Sequence, residues 1–381
     1  MRKVDIVSFK MYSYDADYFN NEVMVHYKNS ILIYFDFNKV WVEYKPRHIE
    51  FKKGSFNLFM PKTGNKNLDY YLLTVVMTIN LIKIFWFISA ICFKFRPRVL
   101  FVEHTYVAIL GGMLKVFKLC KKSIYVTNDW VANDKNKKRL LGYIHCNVVF
   151  PLLDFVACKL NDLVINFTVQ IAEARNKFWG KKIAKREKPH SFKPKIAVDE
   201  NLLDNKSNNL CFLGNMREDS GLDIAIKSLS KIRNTIDSNL IIIGEKTQHY
   251  EYFKRLSKQY NVEAYVKFLG FVKTDQFKEI LSKCFCGINI LTSLNSYSDY
   301  GIPGKQIHYL QHLLPVIVTE GSGIFVSVIK DSELGIVIEP TKDAFIEAVF
   351  KIYEQQKEYR GNIIRHIESL PKIDIKELIE G

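Results

Sequence analysis

The residues best suited to chemistry in this 381-residue sequence follow short apolar runs and could together hold a diphosphate. In FLGNMREDSGLD (212–223), Gly214 ends a strand-like run, Gly221 begins a helix-like run, and Arg217 lies between them. Glycine lets the backbone approach a phosphate, and the free N–H groups of a helix N-terminus can bind the phosphate oxygens. An ordinary strand-to-helix loop is the alternative, because the stretch matches neither G-x-G-x-x-G nor a P-loop motif.

A second stretch, SYSDYGIPGKQIHYL (296–310), predicts a tight turn that leads into a helix. Gly301 and Pro303 shape the turn, and Lys305 falls in the first turn of the helix. A lysine beside free helix N–H groups is suited to clamping a diphosphate. Taken alone, Lys305 would be interpreted as a solvated lysine. The PVIVTEGSG stretch at 315–323 strengthens the interpretation of Lys305 as a phosphate ligand.

The elements that must position these residues alternate between apolar strands and helices. Strands are predicted at 4–9, 99–104, 123–129, 162–167, 209–214, 239–244, 266–272, 286–292, 315–320 and 335–339. Helices are predicted at about 70–94, 107–119, 138–160, 222–234, 249–260, 274–283 and 304–313. Apolar strands separated by helices indicate parallel sheets covered on both faces. Ligands bind such sheets at the carboxyl ends of the strands, where Gly214, Gly244 and Gly270 fall.

The fold class is therefore α/β, with two Rossmann-like parallel-sheet domains that face each other across a cleft. We expect an N-terminal domain at 1–192, a linker at 193–208 and a C-terminal domain at 209–350. A helical segment at 351–381 would pack back on the first domain. Residues 20–60 alternate β-branched and aromatic residues in a way that we do not assign to elements.

The formal charge of +15 lies entirely in the first half of the chain. Residues 1–200 hold 33 Lys and Arg against 17 Asp and Glu, whereas the remaining residues hold 22 against 23. This asymmetry indicates an anionic partner, either a membrane surface or a nucleic acid. Solubility combined with compositional bias explains it equally well. Nucleic acid is not expected, because the sequence has neither a helix-turn-helix nor a pattern of stacking aromatics.

The segment 72–93 is long enough to cross a bilayer and carries a single charge, Lys83. Because it leads directly into a predicted strand at 99–104, a buried helix or one lying on the membrane is favoured over a span. The seven cysteines are scattered and lack metal-ligand spacing, which favours free thiols in a reducing compartment. The first residues do not form a signal peptide.

The motifs after residue 208 stand in the order and spacing of a GT-B donor domain. FLGNMREDSGLD, LIIIGE, VKFLGFV, INILTS and YGIPGKQIHYLQHLLPVIVTEGSG resemble those of family 4 retaining glycosyltransferases. The Y-G-x-P-x-K variant is similar to a branch of glucosyl- and galactofuranosyl-type transferases. The resemblance covers 209–340 well and 1–200 thinly.

This resemblance implies a role for individual residues. Lys305, Arg217, Asp299, Asn128 and Asp129 would be catalytic, and His104 would lie on the acceptor side. The implied donor-binding residues are Gly214, Asn215, Gly244, Gly270, Phe271, Tyr300, Gly301, Pro303, His308, Ser322 and Gly323.

The sequence departs from the family at several of these positions. The two glutamates that the family spaces eight apart correspond to Tyr300 and His308, with Asp299 a possible substitute. The arginine and lysine of the first donor loop correspond to Asn215 and Ser220. The glycine-rich loop expected after the first strand is absent.

We expect a retaining hexosyltransferase that moves a sugar from a nucleotide sugar, with UDP favoured, to a hydroxyl of a glycan acceptor in polysaccharide, O-antigen, lipopolysaccharide or glycoprotein glycan synthesis. The nucleotide sugar is a co-substrate, and no cofactor and no metal are expected. A lipid-linked acceptor, an anionic membrane surface and a peripheral cytoplasmic location would account for the basic first half. A non-catalytic partner of another transferase and a nucleotide-sugar epimerase stay open as alternatives.

Overall fold

The computed structural model describes the residues 5–11, 27, 29–35, 39–45, 55–57, 66–127, 130–132, 143–189, 207–272, 276–292, 300 and 304–370. The chain divides into two compact units. One unit is Met1–Ser191 with Ile373–Gly381, and the other is Phe192–Lys372. Most of the predicted linker, and the end of the predicted C-terminal segment at 371–381, lie outside the described residues.

The first unit contains an eight-stranded sheet in the order β4-β3-β2-β1-β5-β6-β7-β8. Its strands are β1 (Ile6–Met11), β2 (Ser30–Phe35), β3 (Lys39–Lys45), β4 (Ser55–Asn57), β5 (Val99–Glu103), β6 (Lys122–Thr127), β7 (Leu163–Asn166) and β8 (Glu187–Pro189). The run from β2 to β8 is parallel, whereas β3 and β4 extend the edge with antiparallel pairing. The described part of the β-branched and aromatic alternation in residues 20–60 thus belongs to β2, β3 and β4.

Four helices accompany this sheet in the described part of the chain. They are α1 (Lys66–Phe95), α2 (Thr105–Val116), α3 (Phe150–Leu160), which continues a π-helical turn at His145–Val149, and α4 (Val169–Trp179). α4 begins where the Thr168 hydroxyl accepts a hydrogen bond from the Ile171 N–H, and it ends at Gly180 in the left-handed conformation.

One core cluster places α1, α2 and α3 on the same face of the sheet. It joins strand residues such as Leu100 and Val102 to Ile88 of α1, Val107 of α2 and Ala157 of α3. None of the described helices has the combination of length and apolar character that crossing a bilayer requires.

The second unit contains a six-stranded, fully parallel sheet in the order β11-β10-β9-β12-β13-β14. Its strands are β9 (Asn209–Leu213), β10 (Leu240–Ile243), β11 (Val266–Gly270), β12 (Cys284–Asn289), β13 (Val316–Val318) and β14 (Gly335–Val337). Its helices are α5 (Leu222–Arg233), α6 (Tyr250–Gln259), α7 (Phe277–Leu281), α8 (Gly304–Gln311), α9 (Val326–Asp331), α10 (Lys342–Glu354) and α11 (Gln356–Ser369). The predicted α/β class with two parallel-sheet domains is confirmed.

All seven cysteines are buried free thiols. Burial raises the pKa of the Cys120 thiol to about 12, so this thiol stays protonated at neutral pH.

Candidate functional site

Three glycines bring the carboxyl ends of β9, β10 and β11 close together. The Gly214 N–H donates to the Ile243 carbonyl at 2.8 Å, and the Gly244 N–H donates to the Gly270 carbonyl at 3.0 Å. A Cβ on Gly244 would lie 1.9 Å from the Gly214 carbonyl oxygen, so only glycine fits there. Gly214 has φ 118° and nothing within 4 Å of where its Cβ would be. This edge of the sheet therefore offers exposed backbone that a ligand can approach closely.

Lys305 lies in the first turn of α8, and its Nζ is 4.9 Å from the centroid of the Phe212 ring. Desolvation, aided by the positive charge of Arg217, lowers the pKa of Lys305 to about 8. Asp219 opposes the shift. Within the described part of the chain, Lys305 forms no ion pair. A desolvated cation at a helix N-terminus, close to a second cation, is suited to binding an anion.

Arg217 is held by a neighbour that the sequence did not single out. Its Nε donates to Asp219 Oδ1 at 2.8 Å, and its Nη2 donates to Asp219 Oδ2. The Asp219 carbonyl accepts a hydrogen bond from the Thr292 N–H at 3.0 Å, which connects this loop to the end of β12. The Arg217 guanidinium is thus already paired, and Asn215 beside it is exposed.

The predicted sugar-side residues Ser322 and Gly323 follow β13. The Ser322 hydroxyl donates to the Asn289 carbonyl at 2.5 Å, which ties this loop to the end of β12. The Ser322 side chain therefore supports the loop. Gly323, at φ 108°, supplies the left-handed turn that follows.

Two buried amide side chains close to α8 were not predicted. Asn289 is fully buried, and neither its Nδ2 nor its Oδ1 has a hydrogen-bond partner. Gln306 is also fully buried; its Nε2 donates to the Ser322 carbonyl at 3.2 Å, whereas its Oε1 has no partner. Buried amide groups without hydrogen-bond partners lower the stability of a fold. Here they leave hydrogen-bonding atoms that no other group among the described residues uses. The sequence signal for Asn289 was a single polar residue within the otherwise apolar CGINIL run.

The remaining predicted donor residues have different surroundings. Phe271 follows β11 and its ring is 68% exposed, whereas Tyr300 is half-buried. Burial, aided by His312, lowers the pKa of His308 to about 4, so its imidazole is neutral at pH 7. Other predicted site residues lie outside the described part of the chain: Asp299, Gly301, Pro303, Asn128 and Asp129.

His104, in the first unit, directly follows the carboxyl end of β5 in a strained conformation. Its φ of 77° and ψ of 137° are unfavourable for a residue with a Cβ. Its ring stacks on Tyr106 with centroids 5.3 Å apart, and the Tyr106 hydroxyl shares a 3.0 Å hydrogen bond with His145 Nε2. Burial and His145 lower the pKa of His104 to about 4, which keeps the imidazole neutral.

A buried polar network fixes the turn that contains His104. The hydroxyl of the next residue, Thr105, lies 2.8 Å from the hydroxyl of Tyr125, which donates to Asp154 Oδ1 at 2.9 Å. Asp154 in turn forms a fully buried ion pair with Arg175 at 2.5 Å. Residues with strained backbone persist where surrounding contacts over-determine them, and they concentrate at functional sites.

No group of three His, Cys, Asp or Glu side chains within the described ranges is placed to hold a metal ion. The charged groups at the carboxyl edge of the second sheet include Lys305 and the Arg217–Asp219 pair.

Comparison of the whole chain with solved structures defines its class as the GT-B fold. Sucrose-phosphate synthase from Thermosynechococcus elongatus superimposes with a TM-score of 0.63 at 13% identity, covering 96% of this chain and 94% of that one. HepE from Anabaena in complex with UDP-glucose gives 0.64 at 11% identity, covering 96% and 95%. A trehalose-6-phosphate synthase studied for glycosyl transfer with retention gives 0.60 at 8% identity, covering 95% of each chain.

Residues 195–368 match the family described as Glycosyl transferases group 1. This match covers most of the second unit, and the chain as a whole shares its fold with the solved structures named above. No curated protein sequence matches the chain.

Proposed function

We propose that the protein is a glycosyltransferase that moves a hexose from a UDP-sugar to a hydroxyl of a glycan acceptor, with retention at the anomeric carbon. The observation that carries the proposal is Lys305, a half-buried cation with a lowered pKa at the N-terminus of α8 and without an ion-pair partner in the described part of the chain. A diphosphate between Lys305 and the open backbone at Gly214 would supply the missing negative charge. The carboxyl edge of the second sheet would then hold the pyrophosphate of the donor.

The nucleotide preference rests on the structural neighbours. HepE from Anabaena has been solved with UDP and with UDP-glucose, and it shares the GT-B fold with this chain. Phe271, exposed after β11, would stack on the base. The unpaired amide of Asn289 and the unpaired Oε1 of Gln306 would lie behind the site as hydrogen-bonding groups.

In the proposed reaction, the bond between the anomeric carbon and the β-phosphate oxygen breaks, and its electron pair leaves with UDP. Lys305 and Arg217 stabilise the negative charge that develops on the leaving diphosphate. The acceptor oxygen bonds to the anomeric carbon on the face that UDP leaves, and its proton passes to the departing phosphate oxygen. We predict that Asp299, Asn128 and Asp129 assist, and that His104 contacts the acceptor.

A panel of ligands tests the donor assignment. Thermal unfolding would be followed with UDP, GDP and ADP and with their glucose esters, because a ligand at 100 times its Kd stabilises the folded state by about 2.7 kcal/mol. We expect UDP and UDP-glucose to raise the Tm, and we expect GDP, ADP and their glucose esters to have little effect on it. Incubation of the best donor with candidate glycans, followed by NMR of the product, should give the anomeric configuration of the donor. An inverted product, or no stabilisation by any nucleotide, would contradict the proposal.

A further inference from the structure

One surface of the first unit is unusually apolar. Of the sixteen large apolar side chains that are exposed among the described residues, twelve lie on α1, at the end of α2 and on the helix that runs from Tyr143 into α3. These three helices cover the same face of the sheet. We call their outward surface the apolar face. Contiguous exposed apolar surface of this kind marks a binding site for a protein or a membrane.

On α1 the apolar face consists of Ile79, Ile82, Trp86 and Phe93. These residues recur at helical spacing on the side of α1 opposite the buried residues such as Ile88. Trp86 is 68% exposed, so it is not part of the hydrophobic core.

The end of α2 continues this surface. Val116 and Phe117 are both about 60% exposed. Arg96, just after α1, lies over the Phe93 ring at 5.0 Å and donates to the Lys118 carbonyl at 3.2 Å. The ends of α1 and α2 therefore lie side by side, with aromatic rings and cations interleaved.

The third strip lies on the helix that leads into α3. Ile144, Val148, Leu152 and Val156 are exposed at intervals of four residues. α3 contacts α2 along its length, and Lys159 extends the strip with its Nζ 5.6 Å from the Phe155 ring.

The charges around the apolar face are almost all positive. Residues 79–122 contain eight Lys and Arg and a single acidic residue, the half-buried Glu103. In 143–160 the acidic residue is Asp154, which is fully buried against Arg175. No acidic side chain is exposed on these two described segments. The exposed cations are Lys83, Lys94, Arg96, Arg98, Lys118, Lys121 and Lys159.

We infer that the apolar face docks on the surface of a bilayer that contains anionic lipids. Exposed Trp, Phe and aliphatic side chains would enter the headgroup region, and the surrounding lysines and arginines would contact the lipid phosphates. A second copy of the chain fits less well, because a two-fold interface would bring the same basic rim against itself. This inference rests on the first unit alone and is independent of the proposed donor chemistry.

Vesicle co-sedimentation tests the inference without any sugar nucleotide. The full chain would be mixed at low salt with phosphatidylcholine vesicles, with and without phosphatidylglycerol. We expect binding only with phosphatidylglycerol, weakened by added salt. Leu152→Ser should weaken it severalfold, and Lys118→Glu should weaken it by at least about fivefold, since each basic residue near an anionic surface contributes about a factor of five.

Matched controls come from the second unit, where Tyr252 and Lys254 are exposed on α6. Tyr252→Ser and Lys254→Glu should leave vesicle binding unchanged. Trp86→Phe should keep binding but lose the blue shift of tryptophan fluorescence that vesicles cause. Circular dichroism would check that each variant is folded.

Absence of binding to phosphatidylglycerol vesicles would overturn the inference, as would equal losses in test and control variants. It would also be overturned if the chain self-associated without lipid and Leu152→Ser abolished that association, because the occupant would then be a second copy. Stabilisation by UDP, measured on the same samples, reports separately on the donor site.

Discussion

The hydroxyl of Tyr309, on α8, accepts a hydrogen bond at 2.7 Å from the backbone N–H of Leu213, the last residue of β9. The same hydroxyl lies 3.2 Å from the Cys211 carbonyl and 3.1 Å from the Ile288 carbonyl, one of which takes its proton. One side chain thus ties α8, which carries Lys305, to the strand that directly precedes Gly214. This buried contact helps to fix the position of Lys305 relative to the turn at Gly214.

Tyr309→Phe should lower the free energy of unfolding by about 1–3 kcal/mol, because the Leu213 N–H loses its buried partner. The midpoint of urea denaturation would measure this. We also expect weaker UDP binding, since α8 would no longer be fixed to β9. Tyr252→Phe, at an exposed position on α6, is the control and should change neither quantity. Unchanged stability of the Tyr309 variant would refute the role of this hydroxyl.

Gly244→Ala should disturb the carboxyl edge of the second sheet, where we propose that the donor binds and which we call the donor edge. The new Cβ would meet the Gly214 carbonyl oxygen at 1.9 Å, so the ends of β9 and β10 must separate. We expect a loss of stability of about 1–3 kcal/mol from overpacking, together with weaker UDP binding. In Gly361→Ala the nearest atom to the Cβ is 3.6 Å away, so this variant in α11 should be as stable as the original protein or slightly more so. A Gly244 variant with normal UDP affinity would rule out a tight backbone approach at this site.

His104 has a strained backbone, and we propose that it contacts the acceptor. Comparing His104→Gly with His104→Ala separates the two, because both remove the imidazole but only glycine accepts φ 77° without strain. Gly should therefore be the more stable variant by about 1 kcal/mol in chemical denaturation. Both variants should bind UDP normally and transfer sugar poorly. Normal transfer by either variant would remove His104 from the acceptor side.

The reaction should not need a divalent metal, because in the proposed site two cations, Lys305 and Arg217, would stabilise the charge that develops on the diphosphate. Turnover of the best donor in excess EDTA should equal turnover with added magnesium. A loss of more than tenfold in EDTA that magnesium restores would show that the charge of the diphosphate is neutralised differently.

The sequence predicted the framework of the second unit closely because each apolar strand there is followed by a glycine or a turn. NLCFLG and NLIIIG correspond to β9 and β10, and the glycine that ends each run lies at the donor edge. The position of Lys305 in the first turn of a helix was likewise evident from the turn residues before it. These features depend on residues that are adjacent in the sequence, so the sequence alone predicts them.

What the sequence did not reveal depends on contacts between distant segments. The pairing of Arg217 with Asp219 competes with the phosphate role expected for Arg217, and neither residue type signals which partner it takes. Asn289 fell inside the predicted strand at 286–292 and was not singled out, and its burial without a partner is evident only once α8 packs against β12. The antiparallel strands β3 and β4 were also missed, since alternation alone does not give strand direction.

The central claim is that a charged Lys305 binds the diphosphate of the donor, and the pH dependence of UDP affinity tests it most directly. Because the pKa of free Lys305 is lowered to about 8, the lysine is protonated below that pH and loses its proton above it. Calorimetric titrations between pH 7 and 10 should therefore give a constant Kd below about pH 8 and a Kd that rises up to tenfold per pH unit above it. Lys305→Gln should bind UDP weakly with no such rise, whereas Lys254→Gln should behave like the original protein. A Kd that stays flat to pH 10, or a Lys305→Gln variant with unchanged affinity, would contradict the account.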